Sequence, residues 1–332
     1  MRTNAKPTAA AAAAVFPGGR PAVPGLGKEA GFLHRLGKDL LRNRLLYAML
    51  LPVVVYYVIF HYVPLYGLQI AFKDFSATKG IWSSPWAGLK HFAAFADGFY
   101  FWRLIRNTFL INVYELVFAF PAPILLALLL NELRRMWMKR FVQTVSYLPH
   151  FISVVVVVGM LADFLARDGL INQLTEWLGM APVSFMQKAE WFRTVYIASG
   201  IWQGIGWGSI IYLAAIANID PTLYEAATMD GAGRLRQALH ITLPGIMPIT
   251  IILFILQIGS MMSVGHEKIL LMYSPVTYET GDVISTYVYR KGILEADYSY
   301  SAAVGLFNSL INFALLVIAN RISRRVTQTS LW

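Results

Sequence analysis

The chain has no cysteine among its 332 residues, which removes disulfides, thiolate metal ligands and cysteine nucleophiles together. Charge is scarce as well. Asp, Glu, Lys and Arg make up 14% of the chain, where a soluble domain carries about 25%. No Gly-x-x-x-x-Gly-Lys-Ser/Thr stretch occurs, so the chain is not expected to bind ATP or any other cofactor itself. Its histidines (34, 61, 91, 150, 240 and 266) never fall beside an acid at metal-ligand spacing. Nothing resembles a nucleophile–base pair. Catalytic residues and a metal site are therefore not expected, and the chain reads as a non-enzyme.

What fills the space is apolar: 57% of the residues are hydrophobic and the mean hydropathy is +0.54. A membrane-crossing helix needs about 20 mostly apolar residues. Stretches that qualify run over 45–66, 108–130 (interrupted by Glu115), 141–161, 195–217, 246–265 and 302–320. The ten-residue alternation of a membrane β-barrel is missing. The expected fold is therefore an all-α membrane protein with six transmembrane helices, spanning residues 41–325. A short C-terminal tail (326–332) follows it. Residues 1–40, with the tract Ala9–Ala14 and several Pro and Gly, have no periodicity and little to bury; they are expected to be a disordered cytoplasmic tail rather than a signal peptide.

The net charge of +10 is decided by where it sits. Arg35, Lys38, Arg42 and Arg44 precede the first span, and Arg134, Arg135, Lys139 and Arg140 join the second to the third. Arg234 and Arg236 lie between the fourth and fifth, and Arg321, Arg324 and Arg325 follow the sixth. Basic residues mark the cytoplasmic side, so both termini and the 4–5 loop are expected in the cytoplasm. The charge is then topological and no nucleic-acid partner is expected. The outer connections are rich in aromatics. Trp82, Trp86, Trp102, Trp177 and Trp191 read first as an interfacial belt, and second as a platform for a soluble partner or a wall for sugar rings.

The 4–5 loop (220–245) has more internal order than a connection needs. Pro221 suits a first helical turn, Glu225-Ala226-Ala227 continues a helix, and Asp230-Gly231-Ala232 breaks it. A second short helix then leads through Ile241-Thr242-Leu243 to Pro244. The bland alternative is an amphipathic loop lying on the membrane. The spacing is more particular than that: Glu-Ala-Ala, a Gly six residues after the Glu, and Ile-x-Leu-Pro after nine more.

With this loop the chain resembles the transmembrane permease subunits of type I ABC importers, the binding-protein-dependent permeases (the MetI-like fold), and in particular their oligosaccharide and polysaccharide branch. Further segments that carry the resemblance are Tyr66-Gly67-Leu68, Asn131-Glu132-Leu133, Gln143–Phe151, Trp207–Leu213, Tyr287–Arg290 and Ala303–Phe307. The resemblance covers roughly 41–325. It implies that Glu225, Ala226, Ala227, Asp230, Gly231, Ala232, Ile241, Leu243 and Pro244 form a coupling helix that inserts into a separate ATP-binding subunit. In it Glu225 pairs with basic residues of that subunit, and Gly231 provides the bend. It also implies a second homologous permease subunit, two ATP-binding subunits carrying ATP and Mg, and an extracytoplasmic solute-binding protein. The expected place is the cytoplasmic (inner) membrane.

Polar side chains inside spans are costly in hydrocarbon and face a bundle interior or a cavity. For most of them interhelical hydrogen bonding is the default expectation. A saccharide needs hydrogen-bond partners for its hydroxyls and aromatic faces for its C–H patches. Tyr147, Trp202, Gln203, Trp207, Tyr212, Asn112 and Glu115 are the candidates for such a passage. Gly204-x-Gly206-x-Gly208 inside the fourth span reads as close helix packing, since no strand precedes it. Two rivals stand beside this reading. One is the same architecture importing a peptide or phosphate. The other is an ion-coupled secondary transporter, which would need internal repeats and an intramembrane acid pair.

Overall fold

The computed structural model describes residues 41–263, 265–327 and 330–331; the alanine-rich N-terminal segment lies outside them. Regular structure among the described residues is helical, apart from one antiparallel bridge between Lys73 and Trp86. The chain divides into two units, Met1–Tyr66 and Gly67–Trp332.

The first unit contributes one apolar helix, Arg44–Tyr57, prolonged by a wider turn at Val58–Tyr62 and by Val63–Leu65. None of its residues is buried, as suits a helix hydrophobic all round and made for lipid.

In the second unit, three long helices are unbroken: Phe101–Glu132, Ala189–Ala217 and Tyr298–Arg325. The remaining two spans are bent. Met136–Phe151 and Val154–Phe164 meet at 101°, and Arg234–Gly245 meets Met247–Gly259 at 60°. The straight third span expected over 141–161 is thus a broken one. Its cause is local. Pro149 lies in a tight turn at Leu148–Phe151, and Ile152 and Ser153 are extended. The Ser153 hydroxyl then caps a new helix by accepting from the Val156 N–H at 3.4 Å. Four helices therefore cross by length and composition alone, and six if each bent pair is one span.

Proline explains a second departure from regular helix. Wide i→i+5 turns at Val58–Tyr62, Glu115–Ala119 and Ala238–Thr242 each stop two residues before a proline: Pro64, Pro121 and Pro244. A proline has no N–H for the carbonyl four residues earlier and crowds it. Widening the preceding turn absorbs both problems without ending the helix. The helix consequently runs through Pro244, and the fifth apolar helix starts only at Met247.

Three apolar clusters hold the second unit. Ile111, Val158, Tyr196, Ile269 and Val283 join the second, third and fourth spans to the segment after the fifth. Phe95, Leu104, Tyr287 and Val304 tie the sixth span to the second. Ile124, Ala127, Tyr212, Ile216 and Ile246 form the third cluster, next to the 220–245 loop. The third and fourth spans touch backbone to backbone at Gly206, where a Cβ would overlap the Ser146 carbonyl. At Gly208 a Cβ would meet the Pro123 ring at 2.9 Å, whereas Gly204 faces open space. Two of the three glycines therefore serve helix packing.

The segment between the fifth and sixth spans is ordered around a buried acid. Asp282, fully buried, accepts from Arg290 at 2.8 Å and Arg103 at 3.4 Å through one oxygen, and from Thr286 at 2.9 Å through the other. The hydroxyl of Thr108 accepts the Ile284 N–H at 3.0 Å, binding this segment to the second span.

Candidate functional site: the exposed loop and the polar cavities

The 220–245 loop is built as two short helices braced against each other. Asp220 caps the first, Pro221–Met229, by accepting from the Thr222 N–H at 2.9 Å; those bonds hold its carboxyl below the ordinary value for an aspartate. The chain then reverses at Gly231, whose φ of +73° an L side chain rarely adopts. The Ala232 N–H closes the turn on the Ala227 carbonyl at 2.8 Å. From the second helix, Gln237 donates to the Thr228 hydroxyl at 3.1 Å and to the Ala232 carbonyl at 3.0 Å. The hydroxyls of Tyr224 and Thr242 meet at 2.9 Å.

This rigid projection has an uncovered apolar surface. Met229 is 87% exposed, Leu235 75% and Leu223 51%, and Glu225, Asp230, Arg234 and Arg236 are exposed around them. At its root the opposite holds: Thr242 and Ile246 are buried, Ile246 among the second and fourth spans. Arg234 reaches Glu132, at the end of the second span, at 3.7 Å. The loop is thus anchored on two spans, the second and the fourth. Of the residues expected in the loop signature, Ile241 and Leu243 sit half-buried at the root and Ala226 and Pro244 are exposed.

The candidate passage residues do not gather in one place. Glu115 and Tyr212 line one cavity of about 520 Å³ between the second, fourth and fifth spans, together with Gln257 and Ser260. Trp207 stacks flat on His150, with ring centroids 4.6 Å apart and planes 2° apart, and meets Phe151 edge-on at 5.6 Å. Tyr147 is half-buried just before that turn. Trp202 belongs to a different, apolar cavity with Leu161, Phe185 and Trp191. The remaining two use their amides within the bundle. Asn112 donates to the Thr108 carbonyl at 2.6 Å, and Gln203 to the Ile152 carbonyl at the break in the third span, at 3.0 Å.

Two polar groups lay beyond sequence reasoning. Lys268 follows the fifth span and reaches the Tyr196 carbonyl at 3.1 Å, over the Tyr196 ring at 4.9 Å, with Glu115 as its electrostatic partner. Burial pushes its ammonium down to about 8. The second is a polar chain from Arg193 through Asn107 to the backbone around Asp282. A lone lysine or arginine in a connection carries no signal of such a partnership. Asn107, a polar residue inside an apolar run, carried a faint one. Among the described residues no group of three or more His, Asp or Glu is close enough to hold a metal ion.

The comparisons with known proteins agree with one another. The family model described as "Binding-protein-dependent transport system inner membrane component" matches residues 119–328. The Bacillus subtilis (strain 168) protein LplB is 45% identical over 292 residues, which is 88% of this chain and 92% of that one. The polygalacturonan/rhamnogalacturonan transport system permease protein YteP of the same organism is 44% identical, over 90% of this chain and 93% of its own. Among solved structures, a chain of a bacterial ABC transporter involved in import of the acidic polysaccharide alginate superposes with a TM-score of 0.83 at 45% identity. The match covers 88% of this chain and 99% of that one. A second structure, of a bacterial alginate ABC transporter in complex with an alginate pentasaccharide-bound periplasmic protein, gives 0.83 at 44% identity, covering 90% and 100%. With the helical architecture, the braced loop and these matches together, the chain belongs to the inner-membrane components of binding-protein-dependent transport systems, the permease subunits of ABC importers.

Proposed function

We propose that this chain forms one half of the passage of an importer for oligo- or polysaccharide, and that its 225–244 loop is the point at which a separate ATPase subunit drives it. The observation that carries the coupling is the loop's division into an exposed tip, with Glu225, Leu223, Met229 and Leu235 uncovered, and a buried root at Thr242 and Ile246. Apolar side chains left exposed on a rigid projection fit a cleft in a partner better than they fit water. Glu225 stands among them, placed to pair with basic residues there, and ATP with its Mg belongs to that partner.

The saccharide cargo is supported by the relatives, of which one is named for polygalacturonan and rhamnogalacturonan and two structures for alginate. It is supported also by the aromatic wall of Trp207, His150 and Phe151, with Tyr147 beside it. The cavity with Glu115, Tyr212 and Gln257 offers hydroxyl partners. We assign the passage to these residues; Asn112 and Gln203 hold the bundle together, and Trp202 faces a different apolar cavity. The full machine has a second homologous permease, two ATP-binding subunits and an extracytoplasmic binding protein. Both termini and the loop face the cytoplasm.

The test of coupling uses the assembled importer in proteoliposomes. E225A is expected to lower ATP-driven saccharide uptake by roughly tenfold or more and to weaken copurification of the ATPase, in keeping with the cost of truncating one partner of a buried charge pair. A bulky replacement, G231V, is expected to do the same by straining a positive-φ turn. Unchanged uptake and unchanged copurification in both would sink the assignment.

A further inference from the structure

The end of the bundle that carries the 220–245 loop holds a polar site of its own. A cavity of about 390 Å³ opens between the end of the second span, the helix Met136–Tyr147, the end of the fourth span and the start of the loop at Pro221. Asn131, at the end of the second span, forms its polar wall with Lys139 and Gln143, which lie one turn apart on one face of the helix. Leu213, Ile216 and Ile219 form an apolar wall opposite. The Tyr224 hydroxyl also lines the space, but it is already given to Thr242 at 2.9 Å.

Asn131, Lys139 and Gln143 are half-buried, and none of their side chains has a protein partner among the described residues. Lys139 has no acid within 4 Å, and neither its ammonium nor the two amides make a hydrogen bond within the chain. Each keeps accessible surface, so a ligand can reach it. No acid stands in the first turn of the helix that carries Lys139, and Glu132, beside Asn131, is turned to Arg234 at 3.7 Å. One cation and two amides thus converge on a space without an anion. The surroundings say which anion fits. Arg134, Arg135 and Arg140 stand exposed on either side of Lys139, and the outer face of the same helix presents Trp137, Phe141 and Val145, all exposed. Basic residues interleaved with a tryptophan at the end of an apolar run mark a membrane–water boundary.

We propose that this cavity seats the phosphate of an anionic membrane lipid of the phosphatidylglycerol type, with Lys139 as the charge and Asn131 and Gln143 as the amide donors. A basic pocket between membrane helices is suited to a phosphate headgroup. The single negative charge of a phosphodiester is answered by one ammonium, and the amides add charge-assisted hydrogen bonds to its oxygens. The exposed apolar face with Phe141 and Val145 gives the acyl chains a surface to lie on. Because Pro221 lines the same cavity, the headgroup sits against the entry to the loop. The proposal is independent of the cargo.

The assembled importer, purified in detergent and titrated with short-chain phosphatidylglycerol, tests it, with native mass spectrometry counting the bound lipids and giving their affinities. K139Q is expected to weaken one binding step by roughly fivefold or more, while R140Q, an exposed control on the same turn, changes it by less than about twofold. Phosphatidylcholine is expected to bind the wild type less tightly at that step and to be insensitive to K139Q. If K139Q does not assemble, N131A decides by the same comparison, with an expected loss of roughly threefold or more. Equal losses in K139Q and R140Q overturn the proposal in favour of a diffuse positive field. Displacement of the lipid by inorganic phosphate, as readily as by phosphatidylglycerol itself, overturns the lipid source and leaves a free-phosphate site. Unchanged lipid binding in K139Q, with or without weaker copurification of the ATPase, overturns it as well; the weaker copurification would assign Lys139 to an acidic side chain of that partner.

Discussion

Lys268 shows what burial does to a single side chain, and it yields a pH signature. Its ammonium sits against Tyr196 with Glu115 nearby, and desolvation holds it at about 8 rather than 10.5. The folded chain thus loses this proton at lower pH than the unfolded chain does. Between about pH 8 and 10.5 the unfolded state binds more protons, so stability rises with pH across that window and the penalty is fully present below it. K268M removes the titration. The melting temperature of the purified complex, followed from pH 7 to 10.5, is expected to climb relative to K268M above pH 8; parallel curves would show that the amine does not titrate there. At this scale the sequence was informative where chemistry repeats at fixed spacing. Pro221 and Gly231 were legible because a first helical turn and a left-handed reversal each need a particular residue type. The passage residues were less legible. Trp202, Gln203 and Trp207 are near neighbours in sequence, yet a helix turns 100° per residue. They end in an apolar cavity, at a backbone carbonyl and on an imidazole face, respectively.

At the scale of elements, length and hydropathy located every span, while the breaks depended on details that hydropathy averages away. The third apolar run is as hydrophobic as its neighbours, and its 101° bend comes from Pro149 together with the Ser153 cap. The wide turns before Pro64, Pro121 and Pro244 follow from one missing N–H each. The segment between the fifth and sixth spans was read as an aromatic-rich connection, with Tyr287–Arg290 noted as part of the family resemblance. In fact it is organised by Asp282, whose partners Arg103 and Arg290 come from the start of the second span and from just beyond it in the same segment. Removing the carboxylate leaves two guanidinium groups partly buried without their partner. D282A is expected to cost about 3–5 kcal/mol, the range for breaking a buried pair from one side. Thermal unfolding in detergent checks this, with D282N as the milder variant because it keeps shape and one acceptor. A shift of D282A no larger than that of an exposed control such as E176A would mean the network contributes little.

For the whole molecule, the two ends of the bundle have different chemistry, and the absence of cysteine makes the difference measurable. One end carries the braced loop with exposed Met229 among Arg234 and Arg236. The connection between the third and fourth spans carries Trp177, 93% exposed. The orientation proposed above from Lys and Arg has the first in the cytoplasm, and one crossing, the fourth span, separates the two. Because the chain has no native thiol, M229C and W177C are single-cysteine proteins without further engineering. In intact spheroplasts a membrane-impermeant maleimide is expected to label W177C and spare M229C; in inside-out vesicles the pattern is expected to reverse. A third single-cysteine protein, R135C, tests the broken third span against W177C. If Met136–Phe151 and Val154–Phe164 formed a re-entrant hairpin instead of one bent crossing, Trp177 would lie on the same side as Arg134 and Arg135, and R135C and W177C would label together. Labelling of R135C and W177C on opposite sides requires the 101° bend to be a crossing, and the fourth span then returns the chain to put the tip of the loop on the side of Arg135, across the membrane from the aromatic connection.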